Sequence, residues 1–439
     1  MGRAAALSGK TPNLAVGSTI ITTYIHSSMT LFSSLRYNVR MSTYPTLSKA
    51  HLKGKRVLVR AGFDLPIEDG VIQDISRVEA LVPTIKYILD HGASVILMSH
   101  QGRPKGKVDP EFTQRPLVAV IEKLLKTTVH FAPSCTGPEA KKMSEELKAG
   151  EILLLENLRY DAREEKNDPA FAKELASLGE IYVNDAFTNC HRAHASMVGI
   201  PKLLPSYMGL QLEQEVAHLS KVTDNPARPL VLIISGAKME TKVPVIEFFL
   251  DKGDDILVGG AIANTFIAAE GRKIGSSLCE KEEIDHAKDI LKKSDAEDSA
   301  HIHVPTDYIV AEKPTEDSKS HVAQGQHILE SEAIFDVGPD TIDAYISAIE
   351  CAKSIIWNGP LGLYEEKQFA HASIKIAAAV KDATKKGSIS VIGGGDTIDL
   401  HTRYGLDLSS YTFVSTGGGA MLEFVSGKKL PALEALRSS

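Results

Sequence analysis

Cysteine is scarce in this chain. Its 439 residues hold four, Cys135, Cys190, Cys279 and Cys351, widely spaced and without a Cys-x-x-Cys pair. That excludes a zinc cage and a disulfide scaffold, and it fits a reducing compartment. Long apolar runs are missing too: none reaches the roughly 18 residues of a membrane span. There is no basic surplus, because the formal net charge is −7. Such a chain lacks the counterion release that general nucleic-acid binding needs, so any positive site is local. Two nucleotide signatures are absent. Gly102-Arg103-Pro104-Lys105-Gly106-Lys107 is one residue short of a P-loop and lacks its hydroxyl, while Ile398 and Leu422 stand where G-x-G-x-x-G needs its last glycine.

Acidic residues are absent from the amino end, where the first is Asp64. The leader, taken as 1–45, is rich in Ser and Thr with a few Lys and Arg. This composition fits an organellar transit peptide, an unstructured leader, or an upstream start with the true one at Met29 or Met41. The expected location is cytoplasmic, or organellar if the leader is a transit peptide.

The rest has the balance of a soluble globular protein, with 43% hydrophobic and 24% charged residues. Its length predicts two or three domains. From residue 55 short apolar runs end abruptly in Gly or polar residues, and helical patterns follow. The runs are Arg56–Arg60, Ala93–Met98, Ile152–Leu155, Ile181–Val183, Leu230–Ile234, Ile256–Val258, Ser354–Trp357, Ser388–Ile392 and Tyr411–Val414. Arg77–His91 and Pro169–Leu178 read as amphipathic helices. The pattern predicts an α/β fold of two doubly wound, Rossmann-like parallel-sheet domains, joined by a hinge helix and separated by a cleft. The join is expected within Tyr207–Val222, giving domains 46–222 and 223–426. The polar stretch 311–327 reads as a surface loop.

In an open parallel sheet, ligands sit beyond the carboxyl ends of the strands. In the first half those ends deliver Arg60, then Asp64 and Arg77; Ser99-His100 with Arg103; Glu156-Asn157 with Arg159; and Asn184-Asp185 followed by His191, Arg192 and His194. Four arginines, each just past an apolar strand, predict a cleft for a small, highly anionic ligand, because guanidinium binds phosphate or carboxylate bidentately. The competing reading is surface salt bridges and structural histidines. In the second half the strand ends are glycine-rich: Ser235-Gly236-Ala237-Lys238, Gly259-Gly260, Asn358-Gly359, Gly393–Thr397 and Ser415–Gly419. Glycine admits close backbone approach to a phosphate, which helix N-terminal N–H groups then bind. Gly259-Gly260 alone would be only a tight turn. Lys238 and Lys242 are expected four apart on a helix starting after Gly236, sharing its phosphate end. Asp396 suits a Mg²⁺ ligand, a helix N-cap, or both.

These motifs, collinear from about residue 50 to the C-terminus, resemble phosphoglycerate kinases. Arg60–Pro66 with Asp74–Val78, His100–Pro104, Leu153–Arg159 and Tyr182–His194 are similar to the family's substrate domain; Gly236–Lys242, Trp357–Gly362, Gly393–Thr397 and Ser415–Ala420 are similar to its nucleotide domain. The resemblance implies transfer of the acyl phosphate of 1,3-bisphosphoglycerate to ADP, with Mg²⁺. Arg77, Lys238, Gly395 and Gly418 would be catalytic. Asp64, Arg77, His100, Arg103, Arg159 and Arg192 would bind phosphoglycerate. Lys242, Asn358, Glu365 (on the ribose), Gly394, Gly395, Asp396 and Thr397 would bind nucleotide, with Asp396 also at the metal. The segment 427–439 would return to the first domain. The partners implied are these small molecules, without nucleic acid or membrane, and the protein is expected to be a monomer.

The chain departs from the family pattern in places. Gly62 stands for a substrate-binding Asp and Asp64 for Asn; an added carboxylate beside an anion is compatible if it accepts the substrate hydroxyl. Thr188-Asn189-Cys190 replaces Gly-Thr-Ala, Ser235 replaces Gly, and Phe413 stands where His is common. Three rivals follow. One is a non-catalytic phosphate or nucleotide sensor on the same fold. Another is a two-domain dehydrogenase, which the missing dinucleotide fingerprint disfavours. The third is that the leader is an interaction arm, in which case deleting residues 1–40 should alter localisation or assembly.

Overall fold

A computed structural model describes residues 43–437 except 69 and 316. The expected leader therefore lies almost wholly outside the described residues. Packing begins at its edge: Tyr44 is buried and Met208 N–H donates to Pro45 O.

The first half folds around one parallel sheet. Its strands are Arg56–Ala61 (β1), Ser94–Met98 (β4), Val129–Ala132 (β5), Ile152–Leu155 (β6), Ile181–Asp185 (β7) and Ser206–Met208 (β8). A small hairpin, Ile67–Glu68 (β2) with Val71–Ile72 (β3), interrupts the path after β1. The sheet order is β5-β6-β4-β1-β7-β8. The central strands form because their apolar side chains are buried on both faces: every residue of β4, β6 and β7 is buried.

The second half repeats the plan with Leu230–Ser235 (β9), Asp255–Gly259 (β10), His301–His303 (β11), Ser354–Asn358 (β15), Ile389–Gly393 (β16) and Phe413–Ser415 (β17), in the order β11-β10-β9-β15-β16-β17. Between β11 and β15 the chain makes an antiparallel sheet of Asp307–Ala311 (β12), His321–Gln324 (β13) and Ala333–Val337 (β14). This corrects the expected loop over 311–327. β13 was illegible because three of its four residues face solvent, so it carries no apolar run.

In each sheet the winding reverses once, between β1 and β7 in the first and between β9 and β15 in the second. Such switch points are where open α/β sheets bind ligands. The residues following β1 and β7 are 62–64 and 186–192; those following β9 and β15 are 236–238 and 359–362.

The helix Leu210–Thr223 links the lobes. Asp185, at the end of β7, tethers its start by accepting the Leu212 N–H at 2.7 Å. Of the expected join Tyr207–Val222, Tyr207 and Met208 belong to β8 and the helix begins at Leu210. At the carboxyl end, helix Pro431–Arg437 packs on Ala195–Gly199, Ile200–Lys202 and β8 of the first lobe, and Ala432 N–H donates to Cys190 O at 3.2 Å.

Candidate active site

The first lobe builds a cationic face on a buried scaffold. Arg60 is 1% exposed. Its Nε donates to Ser196 Oγ at 3.0 Å, and Ser196 donates on to the buried Glu164 at 2.5 Å. Arg60 Nη2 meets His100 Nδ1 at 3.3 Å, and His100 Nε2 lies 3.4 Å from Asp64 Oδ2. Arg60 has only hydrogens to give, so His100 Nδ1 accepts and its proton sits on Nε2, toward Asp64. Burial, reinforced by Arg60 and Arg159, lowers His100 to about 4 despite Asp64, so the ring is neutral at pH 7. Burial alone would raise the Asp64 carboxyl. The His100 and Gly102 N–H groups and Arg77 outweigh it and hold Asp64 well below the carboxylate range.

Asp64 sits in the left-handed region at φ 41°. That conformation turns its Oδ1 to the Gly102 N–H at 2.9 Å and its carbonyl to Arg77 Nη1 at 2.5 Å. Arg77 also donates to Phe63 O at 3.1 Å. Arg159 donates to Gly102 O at 2.8 Å, and its Nε lies 3.1 Å from Glu165 at an angle that leaves that N–H without a hydrogen-bond acceptor. Among the described residues no carboxylate forms an ion pair with Arg77, Arg103 or Arg192. The surface-salt-bridge reading therefore does not describe these three side chains. His194 lies among these charges: burial, then the positive fields of Arg159, Arg60 and Arg192, push it down to about 3. Arg60, by contrast, serves the scaffold; its guanidinium is enclosed by Ser196, His100 and Ala61.

The second lobe offers backbone. Gly236, Gly359 and Gly394 have φ of 150°, 97° and 105°. A Cβ on Gly359 would lie 2.4 Å from Ser235 O, and one on Gly394 2.7 Å from Asn358 Nδ2, so both positions require glycine. Helix Gly395–Arg403 starts at once after β16 and leaves its first N–H groups facing out, with open space above Gly395. Lys242 is buried and its Nζ donates to Asn358 Oδ1, while Asn358 Nδ2 donates to Gly393 O at 2.8 Å. Burial lowers the Lys242 amine to about 8, opposed by Asp396. The expectation that Lys238 and Lys242 share a helix is corrected: Lys238 is the extended residue before helix Met239–Leu250, and its side chain is exposed. Thr397 is buried, accepting the Gly359 N–H at 2.8 Å and donating to Gly393 O at 3.0 Å, so its hydroxyl ties the two loops together. Asp396 is exposed in the helix's first turn, whose N-cap is Gly394. Glu365 is exposed beyond Tyr364.

The lobes meet where these faces adjoin. A Cβ on Gly417 would lie 2.4 Å from the Phe187 ring, and one on Gly419 3.8 Å from His191 Nε2. A cavity there is lined by Gly62, Arg77, Asp185, Thr188, Gln211 and Thr416, among others. The Ser415–Gly419 loop is held by the linking helix: Glu215, fully buried, accepts from Ser415 Oγ at 2.7 Å, Thr416 N at 2.8 Å and Thr416 Oγ1 at 2.9 Å. Glu215 carries no motif. Its signal was its place on the apolar stripe Leu212, Glu215, Val216, Leu219, where a carboxylate needs a buried partner.

Two wound lobes, one presenting arginines and the other glycine-rich strand ends with a helix N-terminus, define a two-lobed phosphotransferase. A sequence model of the phosphoglycerate kinase family matches residues 47–428. The phosphoglycerate kinase of Fervidobacterium nodosum is 44% identical over 392 residues, covering 89% of this chain and 98% of the relative. That of Prosthecochloris aestuarii is 45% identical over 393 residues, with the same coverage. The solved phosphoglycerate kinase from Coxiella burnetii superposes with a TM-score of 0.83 at 36% identity, over 90% of this chain and 99% of that one. The chain belongs to the phosphoglycerate kinase family.

Proposed function

We propose that the chain transfers the acyl phosphate of 1,3-bisphosphoglycerate to ADP, reversibly, giving 3-phosphoglycerate and ATP. The 46–222 lobe holds the phosphoglycerate through Arg77, His100, Arg103, Arg159 and Arg192. The 223–426 lobe holds the nucleotide through Lys242, Asn358, Glu365 and the N–H groups at Gly394–Asp396. Bond making and breaking occur at phosphorus: the β-phosphate oxygen of ADP attacks, and the substrate carboxylate leaves with the bonding electrons. Both oxygens are anionic already, so no proton moves and no general base is required. The neutral His100, fixed between Arg60 and Asp64, agrees with that.

What the chain supplies is placement and charge. Arg77 and Lys238 neutralise the transferring phosphoryl, and the N–H groups at Gly395 and Gly418 bind its oxygens. Asp396 has no ion pair among the described residues, and these residues contain no cluster of three or more metal-ligating side chains. One free carboxylate beside a phosphate pocket suits Mg²⁺, which keeps its waters and takes few protein ligands. When bound with the nucleotide, Mg²⁺ offsets charge on the phosphate oxygens. Among the described residues no helix is long and apolar enough to cross a membrane.

The observation that carries this reading is the meeting of the two faces: Arg77 lines a cavity with Thr416 of the other lobe, beside the loop whose Phe187 and His191 adjoin Gly417 and Gly419. A coupled assay for ATP from 1,3-bisphosphoglycerate and Mg-ADP tests it. Turnover is expected, and Arg77→Ala should lower kcat by about 10²- to 10³-fold with little change in the nucleotide KM. Equal activity in that variant would refute the assignment.

A further inference from the structure

Gly62 occupies the floor of the cleft without a conformational reason. It follows β1 at the first switch point, and its φ lies outside the left-handed region where glycine is demanded. Its neighbour gives the reason. A Cβ at 62 would lie 3.1 Å from Thr188 Oγ1, and 3.5 Å from Ala186 Cα. Thr188 follows β7, the strand paired with β1, so its hydroxyl stands in the room that a side chain at 62 would take.

We propose that Thr188 recognises the hydroxyl of phosphoglycerate, through the space that Gly62 leaves open. The inference rests on the reaction proposed above and names the residue that reads one group of its substrate. Phosphoglycerate carries a phosphate, a carboxylate and one hydroxyl. The two anions are matched by arginines; the hydroxyl takes a hydrogen-bond acceptor at the cleft, and an uncharged one adds no repulsion beside the anions.

Thr188 supplies one. Its own hydrogen goes to Asn189 Oδ1 at 3.2 Å, so the lone pairs of Oγ1 are left to accept. Asn189 is buried, which fixes that orientation. Thr188 lines the same cavity as Arg77 and Thr416 of the opposite lobe. The nearby carboxylates are less suited. Asp64 Oδ1 accepts from Gly102 and its Oδ2 faces His100. Asp185 Oδ1 accepts from Leu212, while its Oδ2 is sealed from solvent. Asp64 is then a positioning residue that orients His100 and the Gly102 loop.

The test compares the full-length protein with Thr188→Val and Thr188→Ser, using 3-phosphoglycerate and its deoxy analogue, 3-phosphonooxypropionate. Thr188→Val keeps the bulk and removes the acceptor. It should raise KM for 3-phosphoglycerate about three- to tenfold, the worth of one hydrogen bond, with kcat and the ATP KM changed less. Thr188→Ser should restore the wild-type value. The deoxy analogue has no hydroxyl to lose, so as an inhibitor it should bind wild type and Thr188→Val alike. Should the valine variant not fold, Thr188→Ala removes the same oxygen without added bulk and carries the same expectation. An unchanged KM in the folded variant, or an equal loss for the deoxy analogue, would overturn the assignment while leaving the reaction intact; a wild type without turnover would overturn both.

Discussion

Glu215 offers a measurement whose size and sign both follow from its surroundings. The carboxyl is fully buried on the linking helix, and burial raises it to about 7 although Ser415 and Thr416 donate three hydrogen bonds to it. In the unfolded chain it would titrate near 4.5. Between these values the native state holds a proton that the unfolded state has released. Stability therefore falls as pH rises through that window and is level above it. A shift from 4.5 to about 7 corresponds to about 3 kcal/mol. Glu215→Gln removes the titration and keeps one oxygen acceptor. At pH 5 the glutamine should be the less stable form by about 1 kcal/mol, the worth of the hydrogen bond it cannot reproduce. Toward pH 8 the difference should shrink and reverse, changing by about 2–3 kcal/mol in all. Urea unfolding at the two pH values measures this. The single tryptophan, Trp357, is buried in β15 and donates to Gly359 O at 2.8 Å, so its fluorescence reports the second lobe directly. An identical difference at both pH values would show that native Glu215 titrates like an unfolded glutamate, and the argument from burial would fail.

Two further outcomes are expected. The Lys242 amine, lowered to about 8 by burial, should lose its charge between pH 7 and 9, so ADP affinity should fall over that range in wild type. Lys242→Arg should keep a flat profile in a Trp357 fluorescence titration; a sloped one would mean that another group titrates. Arg60→Met should destabilise the first lobe by about 2–3 kcal/mol, because it removes the buried donor to Ser196 and the positive charge nearest in effect on the buried Glu164. Adding Glu164→Gln should recover part of that loss in thermal unfolding, and a purely additive double variant would refute the coupling.

Much of this was legible from residue order. The apolar runs that become β1, β4, β6, β7, β9, β10 and β15 are buried on both faces, which is why they read as strands. The arginines were legible because each follows such a run. What escaped notice was whatever depends on partners far along the chain. Glu164 sits in Arg163-Glu164-Glu165-Lys166, which reads as a solvated charge run, yet its backbone path turns it inward to Ser196. β13 pairs through backbone alone and exposes its side chains. The extended backbone of Lys238 places it before the helix rather than in it, a local conformation that residue type does not dictate. The departures at Gly62 and Thr188 looked independent in sequence, and only the spacing between β1 and β7 reveals that one makes room for the other.

The polypeptide crosses between the lobes twice, once through Leu210–Thr223 and again on its way from helix Gly419–Val425 to helix Pro431–Arg437. A body tethered at one point swivels in any direction, whereas one tethered at two turns about the line through them, as a door does on a pair of pins. The approach of ADP to the bound acyl phosphate would then be a swing about that axis, repeatable in direction from one turnover to the next.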